Sequence, residues 1–187
     1  DSLADLEMAT SVCRRENGMN ALSIANYIVN NWSDKIEITN LKLNKLVYYS
    51  YVESLRKLGR PLFADAIEAW QYGPVEPAVY QAFSSYGRNP IQATNGSAEL
   101  DATSKQIVHS VMEKLGGLSA FDLVTMSHKP DGAWASVYSS EKDNAITPEA
   151  ILASTDGIDD SKLVTIGQAV QSTIASMPNA LRLLENS

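Results

Sequence analysis

The spacing of apolar residues along the chain predicts a mainly α-helical protein. Apolar positions recur at i, i+3 and i+4 within segments that are separated by glycine, proline and helix-capping residues, and this is the period of amphipathic helices. The pattern predicts about eight helices. The clearest predicted helix starts are Ser2, Asn20, Thr39, Pro77, Asp101, Ser119, Thr147 and Ser161.

The segment from Thr39 to Leu58 is the predicted central helix. Its apolar residues cover most of the helix circumference instead of one stripe, and such a helix packs against neighbours on several sides. Tyr48, Tyr49 and Tyr51 point in different directions, because adjacent helical residues are about 100° apart. We therefore expect some of these hydroxyls to reach solvent, a buried polar partner or another protein.

The segment 62–72 lacks helical periodicity and ends at Gly73-Pro74. A residue that precedes proline avoids the helical region, so this segment is predicted to be extended. The Gly-Pro corner is predicted to be a rigid turn that orients Trp70 and Tyr72. The fold class predicted from all segments together is all-α (mainly α), a compact multi-helix bundle with at most a short strand pair.

Composition excludes several classes of protein. The chain has 187 residues, of which 44% are hydrophobic, so it can bury a substantial core. No apolar run approaches the roughly 20 residues that a membrane-spanning helix needs, and no signal peptide is visible. The single cysteine, Cys13, excludes an internal disulfide, and its place on an apolar stripe favours an inert buried thiol. These features favour a cytoplasmic location in a bacterium.

The net charge of −7 narrows the range of partners. There are 22 acidic and 15 basic residues, whereas nucleic-acid binding depends largely on Lys and Arg that neutralise phosphates. No direct nucleic-acid binding is expected from this chain. The acidity either keeps the protein soluble or speeds its encounter with a basic protein partner.

Residues that could perform chemistry are sparse, and neither a metal site nor a cofactor is predicted. The two histidines, His109 and His128, stand outside any paired-ligand motif, and no serine lies in a nucleophile elbow. His128 precedes Trp134 by six residues. It is either a general base that works with Glu68 or a cap on the C-terminus of a helix that also fixes the adjoining turn.

Two aromatic segments, 43–49 and 68–75, together with Tyr80, supply the candidate binding residues, since tyrosine and tryptophan are enriched at binding hot spots. The candidate partner-binding residues are Tyr48, Tyr49, Trp70, Tyr72, Gly73, Pro74, Val75 and Tyr80. A second set is structural or functional: Lys45, Glu68, His128 and Trp134.

Three short motifs occur together, and each would be weak alone. They read LNKLVYY at 43–49, EAWQYGPV at 68–75, and Ser-His at 127–128 with Trp134. In this combination and order, the chain resembles the Panacea domain family, which is SocA- and GepA-like, over residues 19–138. Residues 1–18 and 139–187 are then predicted to be helical extensions, the second packed on the same domain.

The resemblance implies an all-helical, non-enzymatic domain that acts as the antitoxin of a toxin–antitoxin pair, often encoded on phages. It implies direct binding and neutralisation of a cognate toxin, which the acidity of the chain suggests is basic. One alternative is a proteolytic adaptor that delivers the toxin to a ClpXP-type protease. The other is a small hydrolase or transferase that uses His128 and Glu68.

Overall fold

The computed structural model describes residues 19–94, 96, 98–138 and 144–158. The helices predicted at Ser2 and Ser161, and Cys13, lie outside the described residues. The division into a domain at 19–138 with two extensions stays a prediction.

The described part is mainly helical, as predicted from the apolar spacing. Seven α-helices and one short 3-10 helix at Ser84–Tyr86 make up most of it. The α-helices are α1 (Ala21–Trp32), α2 (Asn40–Leu58), α3 (Pro77–Ala82), α4 (Ala102–Leu115), α5 (Ala120–Ser127), α6 (Ala133–Val137) and α7 (Pro148–Ala153).

Capping residues set the helix ends where the sequence predicted them. The side chains of Asn20, Thr39 and Asp101 each accept a bond from a backbone N–H of the first turn that follows, which pairs a donor that would otherwise be free. Ser119 and Asp122 form the predicted capping box of α5. Gly59 ends α2 in the left-handed conformation.

The extended segment belongs to a small antiparallel sheet with the strand order β2-β1-β3. The strands are β1 (Ile67–Trp70), β2 (Gly73–Val75) and β3 (Asn144–Ile146). The sheet therefore has one strand more than the predicted pair. Strand β3 was missed because its three residues follow a polar stretch and show no alternation of their own, so only pairing with β1 makes them a strand.

Helix α2 is the centre of the fold. It contacts α1, α3, α4, α5, α7 and β2, and every residue from Lys42 to Leu55 is buried. Tyr48, Tyr49 and Tyr51 are all buried, at 1%, 1% and 5% exposure. Of the three predicted alternatives, a buried polar partner is confirmed for Tyr48, whose hydroxyl donates to the buried Asp156 carboxylate. Three directions around a helix are all interior when the helix is covered on every side.

Residues 144–158 are held against α2 by polar contacts. The Arg56 guanidinium donates to the carbonyls of Ile151, Leu152 and Ser154, and so pairs the free acceptors at the end of α7. The buried Asp156 carboxylate accepts from the Tyr48 hydroxyl.

Asp156 also caps helix α6, although it is 23 residues away from the start of that helix in the chain. Its Oδ2 accepts from the backbone N–H of Ala133 at 3.1 Å, at the start of α6, where Gly132 provides no side-chain cap. One carboxylate thus joins α2, α6 and the segment after α7.

We predict that Asp156→Ala lowers the free energy of unfolding by about 3 kcal/mol, because it leaves two buried donors, on Tyr48 and Ala133, without acceptors, at about 1–3 kcal/mol each. Urea denaturation measures the loss. The matched control is Glu149→Ala, which removes an exposed acid from the same segment and should change stability by less than about 0.5 kcal/mol. Equal effects of the two substitutions would contradict the prediction.

Candidate interaction site

The turn between β1 and β2, Trp70–Pro74, is held from below by three side chains, each on a different element. Trp70 pairs with Gly73 across the hairpin, so Gln71 and Tyr72 form its tip. Three backbone carbonyls of this turn accept side-chain bonds. The bonds run from Trp134 Nε1 to the Trp70 carbonyl (2.7 Å), from His128 Nε2 to the Gln71 carbonyl (3.2 Å), and from Lys45 Nζ to the Pro74 carbonyl (2.9 Å).

These three bonds join the three sequence motifs at one place. The first motif supplies Lys45 from α2, the second supplies the turn itself, and the third supplies His128 and Trp134 at the ends of α5 and α6. The proximity of these residues follows from the fold, since more than 50 residues of chain separate the turn from His128.

Gly73 allows the turn to lie directly on this cluster. Its φ of +106° is a conformation that residues with a side chain rarely adopt. A Cβ at this position would lie 2.6 Å from Ser127 Oγ and 2.8 Å from Lys45 Cε. The tip of the turn, Gln71-Tyr72, therefore lies immediately before the Gly-Pro pair that was predicted to be the corner, and that pair begins β2.

Lys45 is fully buried below the turn. Burial lowers the pKa of its ammonium from 10.5 to about 7, because the charged form loses its hydration. Among the described residues no carboxylate lies within salt-bridge distance of Nζ. The Lys45 amine therefore has no acidic partner in the described part of the chain, and it donates a hydrogen bond to the Pro74 carbonyl.

His128 is the C-cap of α5, as the capping interpretation predicted. Its Nδ1 lies 2.7 Å from the Val124 carbonyl, and its ring packs on the Trp134 ring with centroids 3.9 Å apart. Burial lowers the pKa of His128, an effect that the two carbonyl contacts oppose and the nearby Lys45 charge reinforces.

Glu68 does not bond to His128 in the described contacts. Its carboxylate accepts from the Trp70 indole N–H at 2.7 Å, while both ring nitrogens of His128 face backbone carbonyls. These contacts hold the two side chains to other groups of the fold. They do not support a general base formed by Glu68 and His128 together.

An aromatic groove of about 490 Å³ lies beside the turn. Trp70 and Tyr80 meet edge to face in its wall, with ring centroids 5.1 Å apart, and Tyr80 is 42% exposed. The residues that line this aromatic groove are Asn40, Leu41, Asn44, Trp70, Gln71, Tyr72, Val75, Tyr80, Ser84, Gly87 and Arg88. A second groove of the same volume runs from Leu58 to Pro148, and none of the predicted site residues lines it.

The predicted binding residues divide between this groove and the core. Trp70, Tyr72 and Tyr80 line the groove, which brings together three of the aromatic candidates. Tyr48 and Tyr49 are 1% exposed and Val75 is 5% exposed. Tyr48 and Tyr49 are therefore corrected from partner contacts to core residues, because α2 is enclosed on all sides.

Sequence reasoning missed several residues of the groove. Asn40 and Asn44 lie on its α2 side, where Asn40 donates to the Tyr80 carbonyl and Asn44 accepts from the Glu76 N–H. Their i, i+4 spacing on a helix could have drawn attention to them. Arg88 gave no signal, since a single arginine in a polar loop is ordinary.

Within the described ranges, no helix combines the length and apolar character that crossing a membrane requires. In the same ranges no three histidine, cysteine or acidic side chains are placed to hold a metal ion.

Comparisons with known proteins agree with the motifs. The family described as Antitoxin SocA-like, Panacea domain, matches residues 43–135. Antitoxin SocA of Caulobacter vibrioides (strain NA1000 / CB15N) is 36% identical over 113 residues, an alignment that covers 53% of this chain and 59% of that protein. The chain thus spans well under two thirds of this relative's length. No solved structure is significantly similar.

The matched region contains Lys45, the turn, His128 and Trp134, which the fold joins in one cluster. Residues 43–135 of the chain therefore match the antitoxin SocA-like Panacea domain family.

Proposed function

We propose that this protein is an antitoxin that binds a cognate toxin directly through the aromatic groove. The observation that carries the proposal is the contact between the partly exposed Trp70 and the exposed Tyr80. Trp70 begins the turn that three side-chain bonds hold, and Tyr80 lies beside it on α3. The resemblance to an antitoxin supports the role. The groove supports direct binding, since partly exposed aromatic residues beside a concave surface are typical binding anchors.

The fixed turn favours tight binding for an entropic reason. Ordering a loop when a partner binds reduces affinity, whereas a turn that is already ordered avoids that loss. Trp70 and Tyr80 are large, and each has only two side-chain torsions, so immobilising them on binding loses little entropy.

The charge of the chain has a different role in the proposal. With a net charge of −7, the protein attracts a basic toxin and speeds its encounter, while the groove decides which toxin is retained. Exposed ion pairs contribute under about 1 kcal/mol each, so affinity is expected to depend on the aromatic residues.

We predict that Tyr80→Ala weakens toxin binding about 30-fold, equivalent to about 2 kcal/mol, because truncating an aromatic anchor removes its desolvated contact area. The measurement is calorimetric titration with the toxin expressed from the neighbouring reading frame. Tyr80 is exposed, so the melting temperature should change by less than about 3 °C.

Leu152→Ala is the matched control, since Leu152 is 49% exposed on α7 and does not line the groove. It should bind the toxin like the wild type. Toxin binding that survives Tyr80→Ala and Trp70→Phe unchanged would place the interface elsewhere and end this proposal.

The same purified components separate direct neutralisation from delivery to a protease. Inhibition of the toxin by the chain alone supports the proposal, and inhibition that needs an added ClpXP-type protease would replace it with the adaptor function. The cytoplasmic location, the prophage origin and the lack of enzymatic activity stay predictions.

A further inference from the structure

Each ring nitrogen of His128 lies within hydrogen-bond distance of a backbone carbonyl, which can only accept. Nδ1 lies 2.7 Å from the Val124 carbonyl in α5, and Nε2 lies 3.2 Å from the Gln71 carbonyl at the tip of the hairpin turn. Nδ1 also lies 3.3 Å from the Ser127 hydroxyl, but that hydroxyl donates its proton to the Val124 carbonyl at 2.8 Å. A neutral imidazole carries one N–H, so it can donate to one of these carbonyls only. An imidazolium carries two N–H groups and can donate to both.

We propose that His128 is a proton-operated latch on the hairpin turn. With both nitrogens protonated, the ring joins the last turn of α5 to the Gln71 carbonyl. When Nε2 loses its proton to solvent, the ring keeps the shorter bond to Val124, and the Nε2 lone pair then faces the Gln71 carbonyl oxygen. In that state the turn loses one of its three side-chain bonds, the one at its tip.

The other two bonds do not depend on protonation in the same way. The Trp134 indole N–H does not titrate near neutral pH, and Lys45 still has N–H groups to donate to the Pro74 carbonyl as a neutral amine. Removing the proton from His128 therefore loosens Gln71 and Tyr72 selectively, while both ends of the turn stay attached.

The charged groups near the ring come from two places. Lys45, from α2, opposes protonation of the ring. Lys129, the next residue, is directed away, because its Nζ donates to the Thr155 carbonyl at 2.7 Å and lies 3.7 Å from the Asp156 carboxylate. The Trp134 ring that covers His128 carries no charge.

Protonation of His128 affects two equilibria in opposite directions: folding of the chain, and attachment of the tip within the folded state. Relative to the unfolded chain, burial and Lys45 hold the pKa of His128 below its usual value, so protonation weakens folding overall. Within the folded state, the ring is packed on Trp134 whether or not the tip is attached. Only the attached tip adds a charge-assisted bond, so protonation favours the latched turn as the pH falls below the folded pKa.

The latch has a consequence that rests on the proposed function. Gln71 and Tyr72 line the aromatic groove, so the turn is best ordered for binding at mildly acidic pH. Toxin dissociation should then be slower at pH 5.5 than at pH 7.5 in the wild type, a difference that His128→Gln removes.

The test uses the full chain without its toxin. The sequence has two histidines, so labelled histidine gives two resonances, and His109→Gln assigns them. His109 is bonded to Tyr27, on another side of the molecule, and so is also the matched control. The second readout is hydrogen exchange of the backbone amides of 71–73, corrected for the intrinsic pH dependence of exchange.

We expect protection of these amides to increase about tenfold as His128 becomes protonated, with the same midpoint as the His128 resonance. His109→Gln should keep this increase, and His128→Gln should abolish it. Protection that does not change across the titration of His128, or that changes equally in His128→Gln, would overturn the latch.

If His128→Gln does not fold, the coincidence or separation of the two wild-type midpoints decides the matter. Failure of the proposed function is seen separately, since it appears as toxin binding that is insensitive to Tyr80→Ala.

Discussion

Replacing Gly73 by alanine is expected to lower the free energy of unfolding by about 4 kcal/mol. Two penalties add at this residue. A side chain at φ +106° strains the backbone by about 1–2 kcal/mol, and the new Cβ lies 2.6 Å from Ser127 Oγ and 2.8 Å from Lys45 Cε. Overpacking of this kind adds typically about 1–3 kcal/mol.

Two other glycines separate these penalties. Gly59 has a positive φ of +68° but open space around its Cβ position, and Gly117 has open space without a positive φ. The expected order of destabilisation in urea denaturation is therefore Gly73→Ala well above Gly59→Ala, with Gly117→Ala least. A loss at Gly73 no greater than at Gly59 would show that the turn can move away from Lys45 and Ser127 without penalty.

The second large effect is a rise in stability from pH 7 to pH 9.5 that depends on Lys45. Burial lowers the pKa of Lys45 to about 7 in the folded protein, while the unfolded chain retains the ordinary value of 10.5. The unfolded state therefore binds more protons between these values, so the free energy of unfolding increases with pH. Over 2.5 pH units the gain is roughly 3 kcal/mol.

The upper limit of this window comes from the buried tyrosines. Burial raises the pKa of Tyr48 and of Tyr49 well above 10, so above pH 10 the unfolded state gains stability as its tyrosines ionise. Denaturation curves between pH 7 and pH 9.5 thus avoid the tyrosines. Burial also lowers the pKa of Lys42, so the contribution of Lys45 is the part of the rise that its substitution removes.

Lys45→Met should remove most of this pH dependence, since methionine has a similar length and does not titrate. Lys105→Met is the control, because Lys105 is an exposed residue of α4, and its curve should run parallel to that of the wild type. A Lys45→Met curve that also runs parallel to the wild type would mean that the Lys45 amine is hydrated in the folded protein.

Local structure was largely predictable from the sequence. Helix α2 illustrates this, because a capping threonine, a terminal glycine and a broad apolar surface mark its start, its end and its central place. These signals act within a few residues, so the sequence alone reveals them. Strand β3 had no such signal, since it exists only through pairing with β1.

Only part of the candidate site could be predicted from the sequence. Trp70, Tyr72 and Tyr80 were predicted as binding residues from their aromatic side chains, and the structure places them along one groove. Tyr48 and Tyr49 come from an equally aromatic motif, yet they are buried. Residue type does not reveal exposure when a helix is covered on all sides.

By itself, the sequence determined the mainly helical class, most helix ends and the family resemblance, because these depend on local periodicity, capping and motif order. Only the tertiary structure decided that Lys45, His128 and Trp134 hold one turn, and that Asp156 joins three elements. Such contacts join residues far apart in the chain. Their partners are chosen by how the helices pack, and the order of residues along the chain does not express that packing.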